Sequence, residues 1–171
     1  TGYLSDMLLK LYPGADITCV DISYSMLEES YKKNSNLSCI LSDAENMPFK
    51  NNKFDLIISS FTLHWCVEIE KIFFDTHRFL KDKGLFLFTT VGPGTLDELD
   101  TAYYEAVDGV KHTNYFSDMH TYGDLLLKFG FQDPVMDTEK IIIEYKTFKD
   151  VLDSLRKTGA NTVMENIPSY T

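Results

Sequence analysis

The sequence has few cysteines and no long apolar run, and each shortage excludes a class of protein. No apolar stretch approaches the roughly 18 residues that a membrane-spanning helix requires, and the N-terminus shows no signal-peptide pattern. We therefore expect a cytoplasmic protein without a membrane partner. The three cysteines, Cys19, Cys39 and Cys66, lack the spacing of a zinc site. We expect them to be reduced residues of the core, and we expect no bound metal.

Basic residues are also scarce. Lys and Arg total 16 against 26 Asp and Glu, which gives a formal net charge of −10. Such a charge repels a phosphate backbone, and no basic stripe offsets it, so a nucleic-acid partner is not expected. Hydrophobic residues are abundant, at 44% of 171 residues. This is enough to bury a sizeable core, and we predict a single domain over residues 1–171.

Short apolar runs alternate with helical patterns through the first ninety residues. This alternation is typical of βα units that build a mainly parallel sheet. The continuous apolar run FDLIISSF favours a central strand, buried on both faces. The predicted strands are 17–20, 38–41, 54–61 and 85–88, and the predicted helices are 5–12, 25–33 and 68–80.

The pattern changes after residue 90. Helical patterns recur near 96–106, 120–129 and 147–157, and extended runs at 134–137 and 140–145 predict an antiparallel pair at the sheet edge. Three helix starts have the spacing of a capping box. They are Ser25 with Glu28, Thr95 with Glu98, and Thr147 with Asp150.

A carboxylate follows each of two successive predicted strands, directly at Asp21 and after Ser42 at Asp43. In doubly wound sheets, ligands bind outside the carboxyl ends of the strands. Asp21 is placed to accept hydrogen bonds from both ribose hydroxyls of a nucleoside, and Asp43, with the Ala44 amide beside it, to contact an adenine edge. The alternative is that both acids are helix caps or turn formers. Gly2 precedes a helix about 20 residues ahead of Asp21, which is the position of the end of a Gly-rich strand-to-helix turn.

These motifs, in this order, resemble the class I S-adenosylmethionine-dependent methyltransferases from their nucleotide loop onward. The segments that carry the resemblance are Thr1-Gly2, VDISYSML at 20–27, SDAENMPF at 42–49, KFDLIISSFTLHW at 53–65 and FLKDKGLFLFTT at 79–90. Later segments resemble the malonyl-[acyl-carrier protein] O-methyltransferases of biotin synthesis. These are TTVGPGTLDEL at 89–99, HTNYFSDMHTYGDLL at 112–126, GFQDPVMDTEKI at 130–141 and LRKTGAN at 155–161.

The resemblance implies a Rossmann-like α/β fold, S-adenosylmethionine as cofactor and S-adenosylhomocysteine as product. It also implies that 92–129 is a helical insertion near the substrate, and that the family's first strand and most of its Gly-rich loop precede Thr1. Each cofactor residue has a structural alternative, and Met26 in particular could face the core. The implied cofactor residues are Gly2 at the end of the loop, Asp21 at the ribose, Ile22 and Met26 against the adenine, Asp43 and Ala44 at the adenine edge, and Ser60 beside the methionine portion.

The implied reaction is methyl transfer to the free carboxylate of a malonyl group carried by acyl carrier protein or coenzyme A. A carboxylate has a reference pKa of about 4, so it is ionised at neutral pH and no general base is required. Side chains that offer a hydrogen-bond donor or a cation are the substrate-binding candidates, although each could be a structural or surface residue. They are His64, Trp65, Tyr115, His120 and Arg156. A cationic patch for the acidic carrier is predicted at Lys146, Lys149, Arg156 and Lys157.

Three other functions remain open on the sequence alone. One is a different small-molecule carboxylate or quinone methyltransferase on the same fold, and another is a non-methylating relative that acts as an assembly factor or hydroxylase. The third is a nicotinamide-dependent dehydrogenase, since Asp21 would suit a ribose there too. The Asp43-Ala44 pair and the predicted antiparallel strands fit a dehydrogenase poorly.

Overall fold

The computed structural model describes residues 2–106 and 116–158. These residues form two compact units, the first made of the residues up to Thr90 with Lys128–Phe131, and the second of Val91–Leu127 and the residues from Gln132 onward. The elements in chain order are α1 (Tyr3–Leu11), β1 (Thr18–Asp21), α2 (Tyr24–Lys33), β2 (Ser38–Leu41), a 3-10 turn (Ala44–Asn46), β3 (Phe54–Ser60), a second 3-10 turn (Leu63–Trp65), α3 (Ile69–Phe79), β4 (Leu80–Thr89), α4 (Asp97–Ala106), α5 (Met119–Lys128) and α6 (Phe148–Thr158).

The strands of the first unit form two parallel pairs. β1 pairs with β2, with Thr18 opposite Ser38 and Asp21 opposite Leu41. β3 pairs with β4 up to the Ser60 and Thr89 partners. The predicted parallel α/β class is confirmed. The expected central position of β3 is wrong for the described residues, where β4 is its only hydrogen-bonded neighbour, because apolar composition does not determine how many neighbours a strand has.

Helix α2 begins at Tyr24, and its N-cap is Ser23. The predicted capping box of Ser25 and Glu28 is therefore wrong. Both serines suit an N-cap by residue type, but the Asp21 carboxylate accepts a hydrogen bond from the Ser23 amide at 2.8 Å and fixes the turn two residues earlier. The Ser25 hydroxyl lies 2.9 Å from the Ser23 hydroxyl.

Aromatic residues form the core of the first unit around α3. Phe73 and Phe79 are fully buried, each with 0% of its surface exposed. The ring of Phe73 meets those of Phe86 and Phe88 edge-on, each at 5.7 Å between centroids, and Phe131 at 6.4 Å. Edge-to-face pairs add about 0.5 to 1.5 kcal/mol each beyond their burial, so this cluster fixes α3 on the β3–β4 pair.

The second unit contains the three helices that the sequence predicted after residue 90. The Thr147 and Asp150 capping box at α6 is confirmed, since the Thr147 amide and hydroxyl donate to Asp150 Oδ2 at 3.1 and 2.8 Å. The Thr95 and Glu98 capping box is wrong. The Thr95 hydroxyl instead donates to the Gly92 carbonyl at 2.7 Å.

The two extended runs at 134–137 and 140–145 form no strand among the described residues. The predicted antiparallel pair is therefore wrong there. Val135 is 90% exposed and Ile142 is 75% exposed. Ile-rich composition favours a strand, but a strand forms only where a neighbouring strand supplies backbone hydrogen-bond partners, and no strand pairs with these residues in the described part of the chain.

The cysteines are all free. Cys19 and Cys66 are half-buried, whereas Cys39 is exposed. The expectation of a core position is wrong for Cys39, because β2 leaves most of its side chains at the surface.

Candidate functional site

The carboxyl ends of β1 and β2 bring the two predicted carboxylates to one edge. Asp21 is the last residue of β1 and lies opposite Leu41, the last residue of β2. The Ser42 amide donates to the Asp21 carbonyl at 3.1 Å, which holds the two chain ends together. Asp43 is the next residue along the chain. The structure thus places Asp21, Asp43 and Ala44 at the strand ends, where the sequence predicted them.

The Asp21 carboxylate is half-buried and uses one of its oxygens locally. Oδ1 accepts from the Ser23 amide at 2.8 Å, which forms the turn into α2. Within the described residues Oδ2 has no hydrogen-bond partner. Asp21 therefore forms the turn, as one of the predicted alternatives has it, and its Oδ2 remains available as an acceptor.

Two exposed apolar side chains, Ile22 and Met26, lie one and five residues after Asp21 in sequence. Ile22, just before α2, is 73% exposed. On α2 itself, Met26 is 42% exposed, whereas Leu27 is 6% exposed. The alternative that Met26 faces the core is wrong, since Leu27 occupies that role. Exposed apolar side chains beside a carboxylate suit a flat, apolar ring that carries a polar sugar.

Asp43 caps the 3-10 turn that follows β2. Its Oδ1 accepts from the Glu45 amide at 2.9 Å, and Ala44 is the first residue of the turn. Asp43 is exposed and Ala44 is half-buried. As with Asp21, the local bond occupies one carboxylate oxygen and fixes the orientation of the group.

Gly2 begins α1 in a conformation that favours glycine. Its φ is 70°, in the left-handed region, and a Cβ at this position would lie 2.8 Å from the Ser30 Cα. The glycine is therefore required for the close packing of α1 against α2. This reason is independent of the ligand approach that the sequence suggested.

The end of β3 carries the remaining predicted residues of the first unit. Ser60 is exposed, and its carbonyl accepts from the Thr62 hydroxyl at 3.2 Å. The following 3-10 turn holds His64 and Trp65, whose ring centroids are 5.0 Å apart. Burial lowers the pKa of His64 below its usual value of 6.5. At neutral pH this imidazole is therefore uncharged, and it can offer a hydrogen bond but not a positive charge.

The other substrate candidates belong to the second unit or lie outside the described residues. His120 is exposed in the first turn of α5, and Arg156 is exposed near the end of α6. Arg156 pairs with Asp153 at 3.4 Å, and both side chains are open to solvent. Tyr115 lies outside the described residues.

The predicted cationic patch is largely neutralised on its own helix. Lys149, Arg156 and Lys157 are interspersed with Asp150 and Asp153 along α6. The exposed ion pair of Arg156 with Asp153 contributes little to stability, because solvent screens such pairs. The helix thus presents a mixed surface with a small positive excess.

Glu45 was not among the predicted site residues, although its side chain makes long-range hydrogen bonds close to Asp43. Its Oε1 accepts from the backbone amides of Val67 and Glu68, at 2.6 and 3.0 Å. The only local signal was an acid two residues after Asp43, and this spacing alone indicates nothing beyond a turn.

Within the part of the chain that the structure describes, no helix has the length and apolarity needed to cross a membrane. The same residues contain no group of three or more His, Cys, Asp or Glu side chains that could hold a metal ion.

Comparison with known proteins identifies a methyltransferase family for this chain. The family described as "Methyltransferase domain" matches residues 1–88. Proteins named malonyl-[acyl-carrier protein] O-methyltransferase from Gallionella capsiferriformans and Legionella pneumophila are 35% and 36% identical over 94% and 95% of this chain. The chain spans 58% of the length of each. A solved S-adenosylmethionine-dependent methyltransferase from Mesorhizobium loti is 20% identical and superposes with a TM-score of 0.59, over 75% of this chain and 68% of that one. This last likeness supports the Rossmann-like fold.

Proposed function

The chain belongs to the class I S-adenosylmethionine-dependent methyltransferase family, and from that premise we propose that it methylates the free carboxylate of malonyl-[acyl-carrier protein], an early step of biotin synthesis. The cofactor in this proposal is S-adenosylmethionine and the product is S-adenosylhomocysteine.

The observation that carries the cofactor half of the proposal is the pair of carboxylates at adjacent strand ends. Asp21 keeps one oxygen without a partner among the described residues, and Ile22 and Met26, one and five residues further along the chain, expose apolar surface. A ribose diol needs such an acceptor, and an adenine ring needs such apolar walls. The residues present therefore fit the adenosine portion of the cofactor.

Each remaining cofactor residue has a role that follows from its place. Asp43 and the amide of Ala44 would address the adenine edge, since they lie one strand away from Asp21. Ser60 would lie beside the methionine portion, because it ends β3. Gly2 would close the loop by letting α1 start close to the strand ends.

The chemistry requires positioning rather than acid–base work. S-adenosylmethionine supplies a methyl group whose bond to sulfur breaks as a carboxylate oxygen forms the new bond to carbon. The carboxylate is already ionised, with a reference pKa of about 4, so no residue of this chain acts as a general base. The task of the protein is to align the oxygen with the methyl group and to exclude water.

Donors near the end of β3 suit a carboxylate substrate. His64 is uncharged at neutral pH because burial lowers its pKa, and Trp65 carries an indole N–H donor. These two would hold the malonyl carboxylate by hydrogen bonds and leave its nucleophilicity high, since no full positive charge is paired with it. Tyr115, His120 and Arg156 are further proposed contacts for the substrate.

The proposed partner is an acidic acyl carrier protein, which the −10 charge of this chain does not attract at long range. Lys146, Lys149, Arg156 and Lys157 would have to receive it locally. We further propose that the protein works in the cytoplasm and that residues 1–171 act as one domain, with 92–129 as an insertion close to the substrate.

The test is methyl transfer from labelled S-adenosylmethionine to defined acceptors. We expect label on malonyl carrier protein as a base-labile methyl ester. Labelling of malonyl-CoA in the same assay would show that the carrier protein itself is not needed. Acetyl carrier protein is the matched control, because it keeps the thioester and the carrier but lacks the free carboxylate, and it should remain unlabelled.

Equal labelling of the acetyl and malonyl carriers would contradict carboxylate methylation. Binding of S-adenosylhomocysteine without transfer to either malonyl substrate would favour a different acceptor or a non-methylating relative. Tight binding of NADH without binding of S-adenosylhomocysteine would overturn the cofactor assignment.

A further inference from the structure

Glu45 links the turn after β2 to the beginning of α3. Its Oε1 accepts two hydrogen bonds, from the Val67 amide at 2.6 Å and from the Glu68 amide at 3.0 Å. The partners lie 22 and 23 residues further along the chain. One carboxylate oxygen thus joins two segments that follow different strands.

The position of this carboxylate is favourable for a physical reason. Glu68 is the N-cap of α3, and its own side chain makes no capping hydrogen bond. The first amides of a helix have no partner within the helix, and the N-terminus favours negative charge. In a capping box, a Glu inside the helix reaches back to the N-cap amide. Glu45 supplies the same bond from another part of the chain.

Lys71 joins the same two segments in the opposite sense. Its ammonium donates to the Glu45 carbonyl and to Asn46 Oδ1, the latter at 3.2 Å. It also lies 3.5 Å from the carboxylate of Asp75, which is 9% exposed and pairs with Arg78 at 2.7 Å. The 3-10 turn is therefore held to α3 both by an acceptor and by a donor. We call these two side chains, Glu45 and Lys71, the clamp.

The clamp is important because, in the part of the chain that the structure describes, no strand ladder joins the segment after β2 to the segment after β3. Among the described residues, the β1–β2 pair and the β3–β4 pair share no hydrogen-bonded strands. Phe49 packs edge-on against Phe54 and Phe79, with centroids 4.8 and 5.6 Å apart, and this contact is apolar and lies past the turn. The clamp acts on the turn itself, which begins directly after Asp43.

We propose that Glu45 is a positioning residue for the adenine-binding turn. By holding the Ala44–Asn46 turn on the N-terminus of α3, it keeps Asp43 and the Ala44 amide in place at the end of β2, without touching the ligand itself. The inference rests on the proposed cofactor site and adds to it a residue that acts through its neighbours.

The test compares four variants with the wild type, using S-adenosylhomocysteine and 5′-methylthioadenosine as probes in calorimetry. The second probe contains the adenosine portion but lacks the amino-acid portion. Glu45→Ala should weaken the binding of both probes by about tenfold, because both need the adenine edge. Glu45→Gln keeps an oxygen that accepts the same two bonds, and its affinity should stay within about threefold of the wild type.

Glu29→Ala is the matched control. Glu29 is an exposed acid on α2 that pairs with Lys32 at 3.0 Å, so its loss should leave both affinities unchanged. Lys71→Gln removes the opposite half of the clamp and should weaken binding in the same direction as Glu45→Ala. This variant also keeps the proposal testable if Glu45→Ala does not fold.

Hydrogen exchange gives a readout that needs no ligand. In Glu45→Ala, the Val67 and Glu68 amides lose their acceptor and should exchange about tenfold faster than in the wild type, or more. Faster exchange with unchanged affinity for both probes would show a merely structural role and would overturn the proposal.

Failure of the proposed cofactor site can be distinguished from failure of the positioning role of Glu45. If the wild type binds neither probe, the proposed cofactor site fails, and the positioning role fails with it. If the wild type binds both probes and Glu45→Ala and Lys71→Gln bind them equally well, only the positioning role is overturned.

Discussion

Gly2 packs against Ser30 with no space for a side chain. A Cβ at residue 2 would lie 2.8 Å from the Ser30 Cα and 3.1 Å from its Cβ. The Ser30 hydroxyl donates to the Met26 carbonyl at 2.8 Å, so the serine is itself fixed within α2. The start of α1 and the middle of α2 therefore approach each other at a point that only glycine allows.

Replacing this glycine should destabilise the fold. Gly2→Ala combines a steric conflict with a left-handed φ of 70°, and we expect the free energy of unfolding to fall by about 1 to 3 kcal/mol. Urea denaturation measures the change. Gly14→Ala is the control, because a Cβ at residue 14 would have nothing within 4 Å. Similar losses in the two variants would contradict the packing argument.

Removing the Asp21 carboxylate should weaken cofactor binding. Asp21→Ala deletes the acceptor proposed for the ribose diol, and hydrogen bonds to charged groups contribute about 1.5 to 3 kcal/mol. We therefore expect the affinity for S-adenosylhomocysteine to fall by roughly 10- to 150-fold in calorimetry. Asp16→Asn, at an exposed loop position before the same strand, should bind as the wild type does. An unchanged affinity in Asp21→Ala would count against the ribose role.

Several features that depend on local sequence were predictable, although two of the three predicted capping boxes were wrong. The strand Ser38–Leu41 has the predicted bounds, and Asp21 and Asp43 lie at strand ends because an apolar run followed by an acid is typical of the end of a strand. The cap at Thr147 was equally local, since both partners lie within one turn. For these residues the residue type and its immediate neighbours decide the structure.

Features that depend on distant partners were not predictable. The run 140–145 has strand composition but no strand partner among the described residues, and β3 has one neighbour there where its apolar sequence suggested two. Glu45 illustrates the same limit at the site, because its partners are 22 and 23 residues away. No periodicity within a helix or strand indicates a bond of that range.

The burial of His64 predicts a pH dependence of stability. Because its pKa in the folded protein is below the usual value of 6.5, the unfolded chain binds more protons in the interval between the two values, and stability falls as the pH drops through that interval. One such group contributes a slope of at most about 1.4 kcal/mol per pH unit. His64→Gln should show a smaller slope than the wild type in urea denaturation between about pH 7.5 and 5. Equal slopes would contradict the burial of the imidazole.

The environment of Cys66 predicts an unreactive thiol next to the turn that carries Asp43. Burial, with the nearby carboxylates of Glu45 and Asp43, raises the pKa of Cys66 from 9.0 to about 11. The thiolate is the reactive form, and about two pKa units lower its fraction at pH 8 by roughly 100-fold. Alkylation with iodoacetamide, followed by mass spectrometry, should label the exposed Cys39 well before Cys66, and urea should remove the difference. Equal labelling rates in the folded protein would contradict the burial of the Cys66 thiol, which is the main cause of its raised pKa.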